Sequence, residues 1–225
     1  IAVPAHGQHF TGHAAIAHSR KPQPQHQHPS TPMSKRLITA PATEPISLAE
    51  AKSHCRVDGA DDDTWFSAIA IPAARAAAEH ELGRRLISQT WEQVLDAFPT
   101  AEIELPDADV SAITSVRYTA TNTTDTLLAS DQYVLDSYST PCWLLPAANV
   151  SWPATADTTN ALRIQYVVGM AANAAAVPAT IKAWMLLHIG TAYKFKESVA
   201  QGGTVAELPG RYTDALLDAY RIWTM

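Results

Sequence analysis

Between Lys182 and Lys194 the chain carries no formal charge, and the stretch from Ala183 to Tyr193 (AWMLLHIGTAY) reads as helix. A helix that is apolar on nearly every side has two outcomes: it runs through the centre of a core, or another subunit covers it. The run is about half the ~20 residues needed to cross a bilayer, so it is not a membrane span. Pro178 is well placed at the first helical position, and the helix is expected to reach about Glu197.

A second helix should follow the Gln201-Gly202-Gly203-Thr204 break. It starts at Pro209 and carries Tyr212, Leu216, Tyr220 and Trp223 at spacings of 4, 4 and 3. Such a stripe is amphipathic and is expected either to dock into a groove on a partner or to pack on the chain's own core.

Upstream, Ser47-Leu48-Ala49-Glu50 has the form of a capping box and predicts a short helix to about Arg56. Asp61, Asp62 and Asp63 then make an acidic helix start, favourable at the positive end of the helix dipole. The alanine-rich run that follows is helical by propensity. Ile69, Ala73, Ala76 and His80 approximate one face, Pro72 should kink the helix, and Gly83 is a plausible stop.

The texture turns to β at Leu86. Strand-like pieces are ISQTWEQVLDAF, Glu102–Leu105, Ile113–Tyr118, Tyr133–Leu135, Cys142–Leu145 and, most clearly, Ala161–Val168 closed by Gly169. Short strands with turn clusters between them predict a small antiparallel sheet or sandwich. The fold class is therefore α+β: N-terminal helices over 47–83, a β region over 86–169, and C-terminal helices over 178–225.

Residues 1–32 differ from this body. They hold His6, His9, His13, His18, His26 and His28 amid Pro and Gln, with no helical or strand period, and read as a flexible arm. They lack the basic and apolar regions of a signal peptide. Because MSKRLITAP from Met33 resembles a natural start, the arm is an upstream extension, a processed leader or a cloning-derived segment. Its histidines have neither the regular spacing nor the Cys, Asp or Glu company of a specific metal site.

Composition narrows the function. The 225 residues are 47% apolar and 17% charged, enough for a real core, and the net charge of -6 argues against a general nucleic-acid binder. Cys55 and Cys142 show no paired spacing and are expected as free, packed thiols suited to a reducing compartment. No phosphate loop, dinucleotide fingerprint, HExxH or GxSxG elbow occurs. His188 is expected as a hydrogen-bonded core histidine rather than a general base. The three adjacent aspartates lack the alternate-position ligands of a calcium loop, and Glu102 with Glu104 suits an edge strand guarded against association. No enzyme, metal or cofactor is expected.

The order and wording of several segments resemble phage and prophage head–tail connector proteins of the gp6-like group. They are LITAPATEPISLAEAKSHCRVD, LGRRLISQTWEQVLDAFP, ITSVRYTA, the Tyr133–Asp136 strand, SWPAT, ALRIQYVVGM and VPATIKAWMLLHIGTAY, spanning about Leu37 to Arg221. The resemblance implies a structural adaptor in the neck of a virion, assembled in the host cytoplasm as a ring of twelve copies under the portal. Such a ring extends the DNA channel, touches packaged DNA only transiently and non-specifically, and docks a stopper or tail-completion protein. Tyr212, Leu216, Tyr220, Trp223, Trp184 and Leu187 are the candidate portal or subunit contacts. The competing expectation is a tail-associated module that binds a carbohydrate or surface ligand through Trp91, Trp143 or Trp152.

Overall fold

The computed structural model describes residues 34–195 and 210–222, with the side chains of Gly210, Arg211, Tyr212 and Asp214 outside the description. The expected arm over 1–32, Pro209 and Trp223 lie outside the described residues, and the uncharged helix, expected to reach about Glu197, ends at Lys194 with Phe195 as its cap. The account below concerns the unit Thr31–Met225.

The helix α1 (Leu48–Cys55) begins at the expected capping box: the Ser47 amide donates to Glu50 Oε2 at 2.7 Å, and the Glu50 amide donates to Ser47 Oγ at 3.2 Å. It ends at Arg56, which takes a left-handed conformation (φ 57°). A continuous helical path then runs over 63–82 as α2 (Asp63–Trp65), a π turn (Phe66–Ala70) and α3 (Ile71–Leu82). The expected break at Pro72 takes the form of that π turn. Proline has no amide to donate and its ring crowds the carbonyl four residues back, so a wider turn just before it relieves both conflicts. Gly83 stops the helix as expected, at φ 65°.

The face shared by Ile69, Ala73, Ala76 and His80 is the outer one. Phe66, Ala70, Ile71, Ala74, Ala78 and Leu82 are buried, whereas Ile69, Ala73, Ala76 and His80 are exposed. In an alanine-rich helix the apolar pattern marks no single side, and the larger Phe66, Ile71 and Leu82 decide which face is buried.

Among the described residues, eight strands form two antiparallel sheets, in keeping with the expected α+β class. The larger sheet has the order β1-β2-β8-β4-β5, and the smaller β3-β7-β6. Their ranges are β1 Ser34–Thr39, β2 Gln89–Leu95, β3 Ile103–Leu105, β4 Val110–Thr119, β5 Asp125–Leu127, β6 Tyr133–Asp136, β7 Cys142–Pro146 and β8 Leu162–Val168. Central strand β8 alternates strictly: Leu162, Ile164, Tyr166 and Val168 are buried while Arg163, Gln165 and Val167 are half-buried on the opposite face. Strand β1 is not among the strands that the sequence predicts. SKRLIT lacks clean alternation, all six residues are exposed, and it is held by pairing to β2 with a bulge at Ile38.

The helix α4 (Ala179–Lys194) starts after Pro178, whose extended ψ of 138° makes it the cap rather than the first helical residue. The helix α5 (Gly210–Asp218) closes the described chain. Two cores result. One joins α1, the π turn, α3, α4 and α5, with Ile46, Leu86, Ile87 and Ala171 from the connections. The other fills the space between the two sheets, around Leu105, Val116, Leu144, Leu162, Ile164 and Tyr166.

Where β2 and β8 approach the helices, Gly169 adopts φ 152°. A Cβ there would lie 2.6 Å from the Ser88 amide nitrogen and 2.7 Å from the Ile87 carbonyl carbon. Only glycine fits such an approach.

Candidate assembly surface

The two cores meet at a ladder of alternating charges. Glu79, at the inner face of α3, is 5% exposed and accepts hydrogen bonds from Arg85 Nη1 (3.3 Å), the Leu86 amide (3.1 Å) and Gln89 Nε2 (3.2 Å). Arg75 reaches the same carboxylate at 3.5 Å and also Glu44 at 2.8 Å. Arg85 in turn donates to Asp107 at 3.2 Å, where Lys35 (2.9 Å) and the Tyr166 hydroxyl (2.8 Å) also donate. Burial and the neighbouring Asp107 charge push the Tyr166 phenol well above its usual range, so it remains a donor. The guanidinium of Arg85 lies 4.5 Å from the centre of the Trp91 ring. This network fixes the helical and β parts to each other.

The uncharged helix α4 resolves mainly into the chain's own core. Ile181, Trp184, Met185 and Ile189 are buried against α1, α3 and α5. Trp184 is only 4% exposed and stacks on His188 at 3.7 Å, so it offers almost no surface to a partner. Leu187 is half-buried. His188 is not the core histidine expected from sequence: its residue is exposed at the mouth of a groove. Partial burial holds the imidazole pKa below its ordinary value, with Glu81 pulling the other way.

The groove between the π turn, α3 and α4 is lined by Trp65, Ile69, Ala73, Ala77, His188 and Ala192, among others, and none of its lining residues carries a carboxylate or a hydroxyl. Among the described residues no cluster of three or more His, Cys, Asp or Glu could hold a metal ion, and no helix is long and apolar enough to cross a membrane.

On α5 the stripe read from sequence divides. Leu216 and Tyr220 are half-buried against the helical core, and Leu217, absent from the stripe, is fully buried. The helix ends at Asp218, so Tyr220 stands in the turn that follows. That turn is tied down: the Ile222 amide donates to the Leu82 carbonyl at 2.9 Å, and Arg221 Nε to the Glu81 carbonyl at 3.0 Å. The Tyr212 side chain and Trp223 lie outside the described residues.

Of the tryptophans named for a glycan platform, Trp91 and Trp152 have side-chain partners within the chain. Trp91 lies beneath Arg85 and donates to Gln89 at 3.0 Å. Trp152 stacks on Phe98 at 5.0 Å and donates to the Ala101 carbonyl at 2.7 Å. Trp143 sits on β7, in the middle of the smaller sheet. Cys55 and Cys142 are free, and burial raises both thiol pKa values.

No family model and no curated protein matches the chain. Solved structures do. A chain in the virion of a native gene transfer agent particle matches with a TM-score of 0.68 at 22% identity, over 85% of this chain and 96% of that one. A chain in the neck of an empty particle of that kind, computed with C6 symmetry, gives 0.66 at 20% identity, over 85% and 97%. A chain in the neck of a native particle, computed with C12 symmetry, gives 0.63 at 21% identity, over 85% and 97%. At such identities the likeness is one of fold, and it extends over nearly the whole length of each of those chains.

Proposed function

We propose that this chain is a structural head–tail adaptor of a tailed bacteriophage or kindred particle. Copies form a ring, taken as twelve, beneath the portal; the ring extends the DNA channel and docks the next stopper or tail component. The observation that carries the reading is the shared fold with chains in particle necks solved at six- and twelve-fold symmetry. The reading needs no catalytic residue or cofactor. Its setting is the virion neck, reached by assembly in the host cytoplasm.

The composition supports the DNA-channel role in one respect. The β region over 86–169 carries ten carboxylates against two arginines, and an acidic balance suits a channel through which a polyanion slides rather than binds. Portal contact is assigned to Tyr212, Leu216, Tyr220 and Trp223, together with Leu187 on α4. Trp184 is left out of that surface because it is buried.

The test is assembly. Electron microscopy of the purified chain, alone and with its portal, should show rings that cap the portal. The pair of changes Tyr212→Ala and Trp223→Ala should weaken portal attachment while the ring persists. A chain that stays monomeric in both samples contradicts the proposal.

A further inference from the structure

A closed ring of identical copies needs two unlike patches on opposite sides of each copy, because the head of one meets the tail of the next. The β part carries such a pair. Among the described residues, Leu37 and Ile38 stand exposed on β1 (45% and 41%), and Leu127 and Val134 on β5 and β6 (56% and 54%). β1 and β5 are the two outer strands of the larger sheet, about 19 Å apart at the usual strand spacing. β6 follows β5 after only residues 128–132 and is an outer strand of the smaller sheet. The apolar outcrops thus mark opposite flanks of the sandwich. Outer strands also present backbone groups that a neighbour can pair or cover.

The strands themselves carry unlike charges, most of them already paired within the chain. β1 carries Lys35 and Arg36 and no acid, whereas 125–136 carries Asp125, Asp131 and Asp136 and no base. Within the chain Lys35 is held by Asp107 and Arg36 by Glu92, but the Arg36 side chain remains 66% exposed. Asp125 is shared by Arg117 and Arg163, and Asp136 caps its own turn through Ser139, while Asp131 is exposed. Two β1 flanks would set arginine against arginine, so like does not meet like.

The geometry points to a head-to-tail contact: the β1 flank of one copy seats on the β5–β6 flank of a second copy. This rests on the ring reading above and says which surfaces close the ring.

The experiment is complementation between spoiled flanks in the full chain. Ile38→Asp spoils one flank and Leu127→Asp the other, each placing a charge in an apolar contact. Each variant alone should be monomeric, with association weakened roughly tenfold or more per contact. Mixed one to one, the two should form a heterodimer that grows no further, because each still has one sound flank. Circular dichroism and melting temperature, with milder Ile38→Ser and Leu127→Ser variants alongside, separate lost contact from lost fold. Rings formed unchanged by folded Ile38→Asp or Leu127→Asp, or a mixture that stays monomeric while the wild type forms rings, overturn this contact alone. A wild-type chain that never forms rings overturns the ring reading together with it.

Discussion

Arg85 and Asp107 meet at 3.2 Å across the seam between the helical core and the β core, and the same guanidinium reaches Glu79 at 3.3 Å on the helical side. One side chain therefore ties two buried carboxylates that belong to different cores.

Replacing Arg85 with Met should cost about 2–3 kcal/mol in urea unfolding at neutral pH. That is below the ~3–5 kcal/mol for stripping a buried carboxylate of its only cation. Glu79 keeps Arg75, and Asp107 keeps Lys35 and Tyr166. Arg163→Ala, at an exposed pair with Asp125, should cost under ~1 kcal/mol. Equal costs for the two changes would show that the seam contributes nothing special.

Gly169→Ala should destabilise the chain by about 3 kcal/mol or more, because a Cβ would meet backbone atoms of Ile87 and Ser88 and neither can rotate away. Thermal melting measures it. A change below ~0.5 kcal/mol would mean that the strands approach less closely there.

His188 gives a pH signature. Its imidazole pKa is held down by desolvation in the folded chain, so the unfolded chain takes up the proton more readily as pH falls through the ordinary histidine range. Stability from this residue is therefore undiminished above about pH 7 and declines below the unfolded value of about 6.5. Denaturant midpoints measured between about pH 7.5 and 5.5 should fall more for the wild type than for His188→Gln. Parallel pH curves for the two proteins would remove His188 from the account.

Leu217→Ala should cost about 2–4 kcal/mol, since the side chain is fully buried in the helical core. Deleting 209–225 therefore tests folding as well as docking, so circular dichroism of the truncated chain belongs beside the portal-attachment assay.

How much of this was legible depended on whether the signal was local. The capping box at Ser47, the stop at Gly83 and the alternation of β8 are written in neighbouring residues, and each appears where its chemistry places it. Strand β1 was missed because its stability comes from pairing with β2, far along the chain. The inner face of α3 is not legible in sequence, because alanines weigh equally on all sides of a helix. An all-apolar helix cannot announce whether its own core or a neighbour will cover it, so Trp184 looked available and is buried. The Glu79–Arg85–Asp107 seam joins residues whose charges look like ordinary surface in sequence. The opposed flanks became visible only once the strand order was known.

The central claim is that copies of this chain close into a ring. Native mass spectrometry of the 225-residue chain, alone and with the portal, tests it most directly. The account predicts a discrete species near twelve times the 24.3 kDa chain mass, free or bound to the portal. A single-chain mass under both conditions would contradict it.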